Sequence, residues 1–287
     1  TPQWHSYRQG KLINLTAIQQ NLSKSVAKKK QKISGVAGSG KTQVLATRAV
    51  NAQIRTGGNI LVLTYNKTLS NYLRYRINDV RADFYWKKIH ISHYHHFFKE
   101  QAQLAGKHVL LGSFDNVSFF NDCENILHHY DAIFIDEVQS YRSEWLQILN
   151  NKFLKKDGEF VVFGDPKQNI YGREIDSNGD IRIGVIGGEW NQQLSKCHRF
   201  VNNQLSTLAR RFQLDFAFMN VDNFEKSELL PNSNLTCLKY MYDSPELSVN
   251  RVVNTILHII SAEKFEVDET VVLAQNSSIL KEVEYAY

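Results

Sequence analysis

The chain has 287 residues, 43% hydrophobic and 22% charged, with a formal net charge of +5 and a pI near 8.9. That balance is ordinary for a globular protein of one large or two average domains; it excludes a disordered chain and is compatible with a nucleic-acid partner. Cys123, Cys197 and Cys237 are odd in number and far apart, with no signal peptide and no bilayer-length apolar run, so no disulfide framework or cysteine metal spacing follows and a reducing cytoplasm is expected.

Residues 1–14 are polar with scattered aromatics. Leu15-Thr16-Ala17-Ile18-Gln19-Gln20 predicts a helix start with Thr16 as its N-cap. Lys28-Lys29-Lys30-Gln31-Lys32 reads as a solvated helix end, with direct phosphate contact as the lesser alternative. Ile33 leads as a short strand into Gly35-Val36-Ala37-Gly38-Ser39-Gly40-Lys41-Thr42, which fits the phosphate-loop pattern. Its glycines let the backbone wrap a polyphosphate with N–H groups aimed inward. Lys41 supplies a point charge for the outer phosphates and Thr42 a hydroxyl for Mg²⁺. Thr42 to Arg55 predicts a helix with Leu45, Ala46, Ala49 and Val50 on one face, stopped by Gly57-Gly58. The positive end of that helix faces the phosphates.

Asn59 to Leu63 predicts a buried strand with Thr64-Tyr65-Asn66-Lys67 at its carboxyl end, the edge where open α/β sheets bind ligands. Leu69, Tyr72, Leu73, Arg76 and Ile77 have helical spacing. Lys88 to Ser92 predicts a third strand, ending at His93-Tyr94-His95-His96-Phe97-Phe98. With no cysteine or carboxylate at ligand spacing, these rings are read as stacking on bases or packing locally, not as a metal site. Phe119-Phe120 and His128-His129 are expected on another helix.

Ala132 to Ile135 predicts a buried parallel strand that ends in Asp136-Glu137. Beside a phosphate loop, one carboxylate can hold Mg²⁺ through water and the next can orient or deprotonate an attacking water. Trp145, Leu146, Ile148 and Leu149 suggest a packed helix. Phe160 to Phe163 predicts another strand, ending in Gly164-Asp165-Pro166-Lys167-Gln168, where Gln168 can donate to a γ-phosphate or a water. Asp176 to Gly188 reads as a loop or hairpin, and Leu194 to Phe200 as a strand end before a helix through Leu205, Leu208, Ala209 and Phe212. Val271-Val272-Leu273 predicts one more strand. The alternation argues for a parallel α/β sheet flanked by helices, with a domain boundary near Trp190.

Together these motifs resemble superfamily 1 DNA/RNA helicases of the UvrD/Rep type, from about Leu15 to about Leu273. Leu15 to Gln19 is similar to the family's adenine-reading motif, which makes Gln19 the reader. Residues 35–42 are similar to motif I, so Gly35, Ala37, Gly38, Ser39, Gly40, Lys41 and Thr42 would bind ATP. Thr64, Asn66 and Lys67 fall in the strand-contacting motif Ia, and Tyr94 and His95 in motif Ib. Asp136-Glu137-Val138-Gln139 resembles motif II, with Asp136 on Mg²⁺ and Glu137 as base. Residues 164–168 resemble motif III, Gln168 included, and Tyr171 takes the place of a tyrosine that meets a base. Residues 194–199 resemble motif IV, where Arg199 would act as an arginine finger.

His198 stands where the family usually has an adenine-stacking tyrosine, and Arg173 where it often has a tryptophan base platform. Phe97 to Asp131 is too short for the usual insertion in the first domain. The resemblance implies a P-loop NTPase with a RecA-like sheet in residues 1–190 and the start of a second RecA-like domain in 191–287. Motifs V and VI are not found before Tyr287, and the chain opens at Thr1, so an incomplete chain is expected. The implied activity is ATP- and Mg²⁺-dependent translocation or unwinding on single-stranded nucleic acid, DNA before RNA. The alternative is a nucleic-acid-stimulated ATPase serving as sensor or switch. Residues 63–69 also resemble helicase halves joined to nuclease-related domains, which implies a nuclease or a repair or defence protein as partner; no membrane is expected.

Overall fold

A computed structural model of the chain describes residues 14–169, 171–175, 181–198, 203–215, 249–263, 271–272 and 277–286. They fall into two units, residues 14–215 and the later segments. Three apolar strands organise the first unit: β2 (Ile60–Thr64), β4 (Tyr130–Ile135) and β5 (Leu154–Gly164). Their side chains alternate between two cores. Ile60, Val62, Ala132, Phe134, Val161 and Phe163 point to one. Leu61, Leu63, Ile133, Ile135, Phe160 and Val162 point to the other. A strand apolar on both faces must be covered on both faces, which is the condition for a central parallel sheet.

The sheet has six strands, completed by β1 (Lys30–Gly35), β3 (Ile89–His93) and β6 (Asn191–Leu194), in the order β3-β2-β4-β5-β1-β6. Every pairing is parallel. All carboxyl ends therefore share one edge, and each connection crosses a face. Helix α1 (Ala17–Leu22), α2 (Lys41–Thr56) and α3 (Lys67–Asn78) contribute to one core. Helix α4 (Tyr94–Leu104) and α5 (Ser143–Ile148), the latter continued by a π turn over Leu149–Phe153, contribute to the other. This is the P-loop NTPase fold of the RecA-like type. Helix α6 (Asn203–Asp215) follows in the same unit. In the second unit, α7 (Val249–Glu263) and α8 (Ser277–Ala286) lie against each other.

Several expectations are corrected. The basic run does not end a helix: α1 stops at Leu22, and Lys30, Gln31 and Lys32 are strand residues of β1. Lys32 is buried, with its ammonium 5.8 Å from the Trp190 ring. No α-helix forms around Phe119-Phe120 or His128-His129. That segment is turns and short 3₁₀ pieces, from which Phe120, Cys123 and Leu127 still reach the core. The sheet runs past Trp190, since β6 pairs with β1. Val271 and Val272 are exposed and not in a strand, and Leu273 lies outside the described residues.

The unpredicted element of the fold is a buried ion pair. Arg48 on α2 reaches Glu159 in β5 at 2.7 Å, with both side chains sealed from solvent. The guanidinium also donates to the Leu22 carbonyl (2.9 Å) and to Gln31 (3.0 Å). The second carboxylate oxygen accepts from the Ser25 hydroxyl, the Val26 N–H and Arg55. Burial pulls the Arg48 pKa down, and Glu159 opposes that pull. The network ties α1 to α2, β1 and β5. Removing one partner strands a buried charge, so Arg48→Ala is expected to cost about 3–5 kcal/mol in chemical denaturation. Arg48→Met combined with Glu159→Gln is expected to cost less than either change alone; a larger cost for the pair would refute the stranded-charge account.

Candidate functional site

Residues 35–42 leave the carboxyl end of β1 and enter α2. The loop is braced from outside: the Val36 N–H donates to the Leu194 carbonyl (3.0 Å), and the His198 N–H donates to the Gly38 carbonyl (2.9 Å). Gly40 has φ +88°, and a Cβ there would come within 2.6 Å of the Gln19 amide nitrogen, so both conformation and space demand glycine. Lys41 is buried, and its ammonium donates to the carbonyls of Gly35 (2.7 Å) and Val36 (3.3 Å). The Thr42 hydroxyl donates to Asp136 Oδ2 at 2.8 Å. Ser39 Oγ is buried with no hydrogen-bond partner.

Gln19 sits in a capping box with Thr16, as the sequence pattern implies. Its side-chain oxygen accepts from the Thr16 N–H (2.9 Å), and its amide donates to the Ser39 carbonyl (2.9 Å). Ser23, Arg48 and Asn51 bind the carbonyls of Gln19, Leu22 and Ser23, so the end of α1 is held against α2.

The two carboxylates at the end of β4 have different surroundings. Asp136 is 2% exposed, and its Oδ1 accepts from the Glu137 N–H (3.1 Å). Glu137 is half-buried in the left-handed region, at φ 53° and ψ 45°. For a residue other than glycine that conformation costs about 1–3 kcal/mol and turns the side chain away from the strand line. Gln139, which the sequence pattern alone did not place in the site, donates to Glu137 Oε2 and accepts from the Asp165 N–H (3.2 Å). Asp165 in turn accepts from Gln168 Nε2 (2.7 Å). A Cβ on Gly164 would lie 2.8 Å from Val138 and 3.0 Å from the Gln139 side chain, so this crossing needs the glycine. The signal was in the sequence, as a glutamine two residues after the carboxylate pair facing a Gly-Asp strand end.

The expected strand contacts divide. Asn66 caps α3 and Lys67 begins it, both exposed at the carboxyl edge of β2. Tyr171 is 48% exposed, with its ring 5.2 Å from that of Tyr65. The Arg173 guanidinium lies 5.6 Å over the Tyr171 ring and donates to the Ser140 carbonyl (2.9 Å). Tyr65, which lies within the motif Ia stretch but was not among its expected contacts, is thus part of the cluster. Thr64 and Tyr94 are corrections, because both are buried. Thr64 ends β2 inside the sheet, and Tyr94 stacks on Trp145 at 4.5 Å while its hydroxyl donates to the Phe114 carbonyl. His95 is half-buried, edge-on to Phe114 and Trp145. His198 is exposed beside the loop, and Arg199 lies outside the described residues.

Residues 17–174, more than half of the chain, match the family model described as an AAA domain. The chain belongs to the AAA domain family. No curated protein matches it. Among solved structures it is similar to the UvsW helicase from bacteriophage T4, at 13% identity over 66% of this chain and 65% of that one, with a TM-score of 0.40. It is also similar to an arterivirus helicase, nonstructural protein 10, solved with DNA, at 12% identity over 76% and 47%, with a TM-score of 0.38. The same viral helicase solved without DNA gives 13%, 76%, 46% and 0.39. The chain therefore spans from under half to about two thirds of these proteins' lengths.

In this AAA domain the donor set fits a hard cation on a polyphosphate. Thr42 and Asp136 offer oxygen only, and Mg²⁺ keeps water and phosphate oxygens in the rest of its shell. The orphaned Ser39 hydroxyl and the glycine-lined loop fit an anion with several acceptors. Among the described residues no cluster of three or more His, Cys, Asp or Glu could hold a metal, and no helix is long and apolar enough to cross a membrane.

Burial, and secondarily Glu137, raises the Asp136 pKa from 3.8 to about 6, against the opposing Thr42 hydrogen bond and Lys41 charge. Between those two values the folded chain holds a proton that the unfolded chain has lost, so stability falls as pH rises. At neutral pH the ionised group carries a penalty. Asp136→Asn is therefore expected to stabilise the ligand-free protein by about 1–3 kcal/mol at pH 7. It is also expected to flatten the loss of thermal stability between about pH 4 and pH 6. Thermal melts across that range test it, and a melting temperature below wild type at neutral pH would contradict it.

Proposed function

We propose that this chain is the ATP-binding part of a superfamily 1 motor of the UvrD/Rep type, working on single-stranded nucleic acid and on DNA before RNA. One observation carries the reading: the phosphate-loop lysine and both carboxylates share a sheet edge with side-chain links to the Tyr65–Tyr171–Arg173 surface. The link runs from Glu137 through Gln139 to Asp165 and Gln168. It also runs from the Val138–Ser140 turn, through the Ser140 carbonyl, to Arg173 and the Tyr171 ring. A change at the carboxylates is thereby felt where a base would stack.

In this reading Lys41 leaves the Gly35 and Val36 carbonyls to hold the outer phosphates, and Gln19 reads adenine from the side of α1. Thr42 and Asp136 hold Mg²⁺, whose charge, when bound, offsets that of the phosphates. Glu137 takes a proton from water as the water oxygen attacks the terminal phosphorus. The bond from that phosphorus to the bridging oxygen breaks, leaving ADP and phosphate. Gln139 fixes the Glu137 carboxylate, and Gln168 senses the terminal phosphate. His198 and Arg199 would close over the nucleotide from the start of a second domain that follows β6. A nuclease-linked or repair or defence partner and a cytoplasmic location belong to the same proposal.

Lys41→Ala and Glu137→Gln are expected to abolish ATP hydrolysis with the thermal transition retained, and Arg199→Ala to lower turnover about 10³-fold or more. Steady-state phosphate release with and without a single-stranded oligonucleotide measures all three. Wild-type turnover in Glu137→Gln would remove the assigned base. Strand-stimulated hydrolysis without separation of an overhanging duplex would favour the sensor alternative.

A further inference from the structure

Residues 67–88 comprise α3 and the loop that returns to β3. This stretch holds six Lys and Arg against two Asp, and so carries +4 of the chain's net +5. It also holds five aromatic residues. Leu73 and Ile77 turn inward and are fully buried, which aims the other face of α3 at solvent. On that face are Tyr72 (40% exposed), Arg74 and Tyr75 (50%). The loop adds Tyr85, 72% exposed, then Trp86, Lys87 and Lys88.

Two of these rings are braced, and the backbone that carries a third is anchored. The Arg76 guanidinium lies 5.3 Å over the Tyr72 ring and is paired with Asp79 at 2.6 Å. The Tyr85 N–H donates to the Gln53 side chain (3.0 Å), and Trp86 leans on Phe84 at 5.2 Å, which packs against the core. Asp83 is the other carboxylate of the segment, and it is exposed. The surface therefore pairs solvent-facing aromatic rings with excess positive charge. A polyanion with an unstacked base at each step satisfies both. An acidic peptide would use the charge and leave the rings wet, and a duplex keeps its bases stacked on one another.

We infer that residues 67–88 form a second contact track for single-stranded nucleic acid. It begins at Asn66-Lys67 on the carboxyl edge and runs along α3 to Tyr85-Trp86 at the opposite, amino edge. Twelve helical residues give it a length of about 18 Å, enough for a few nucleotides. The track rests on the strand-motor reading but needs none of its nucleotide chemistry. It would grip the strand on the flank of the β3 edge, away from the phosphate loop.

The test is fluorescence anisotropy of a labelled homothymidine oligonucleotide with the full chain, over a range of salt concentrations. Tyr75→Ala with Tyr85→Ala is expected to weaken binding about tenfold or more, and the corresponding Tyr→Phe pair to restore it. Lys87→Gln with Lys88→Gln is expected to lower the slope of log affinity against log salt by about 0.7 for each phosphate no longer neutralised. Wild-type binding with affinity and slope unchanged in both pairs would overturn the track while sparing the motor reading. Equal competition by polyglutamate would also overturn it, as a sign of a patch selecting charge alone. A wild-type chain that binds no single strand would sink both.

Discussion

The Thr42–Asp136 hydrogen bond joins the first turn of α2 to the residue that follows β4, 94 residues apart in the chain. It forms because β1 and β4 are parallel members of one sheet, so their carboxyl ends meet at one edge. The bond places a buried carboxylate at the first turn of α2, under the loop that would hold the phosphates. Burial makes that carboxylate costly to ionise, and the threonine and lysine beside it reduce the cost. The site thus stores a demand for positive charge that its own side chains meet only in part.

A second constraint lies one residue on. Glu137 takes a left-handed backbone that most residues avoid, and Gln139 fixes the carboxylate that results. The same glutamine accepts from the end of β5, and the turn that contains it is gripped by Arg173. Two neighbouring strand ends and an aromatic surface are thereby coupled through one short 3₁₀ turn. Such a turn can adopt a few discrete arrangements, which suits a conformational signal better than a gradual strain.

The sheet was legible in the sequence because its central strands are short apolar runs of the kind buried on both faces. The phosphate loop and the Asp136-Glu137 pair were legible because their residue types are dictated by chemistry at a strand end. The Arg48–Glu159 pair was not, since a polar stretch, Lys155 to Glu159, reads as loop until it is seen as the irregular first half of β5. Tyr94 was misjudged for a related reason. An aromatic at a strand end suits stacking on a base and packing on a neighbour equally well, and only the nearby Trp145 ring decides between them. Lys30 and Lys32 misled because a run of lysines reads as a solvated surface, whereas β1 lies between β5 and β6 in the sheet.

Lys41 begins with two of its three ammonium hydrogens donated to the carbonyls of Gly35 and Val36. An anion that draws the whole ammonium to itself must therefore displace two internal acceptors, not merely neutralise a waiting cation. A lone chloride or a small carboxylate is a poor competitor on those terms, whereas a chain of phosphates also engages the backbone N–H groups around it. On those terms the bent-back ammonium would favour an anion long enough to reach the surrounding N–H groups as well.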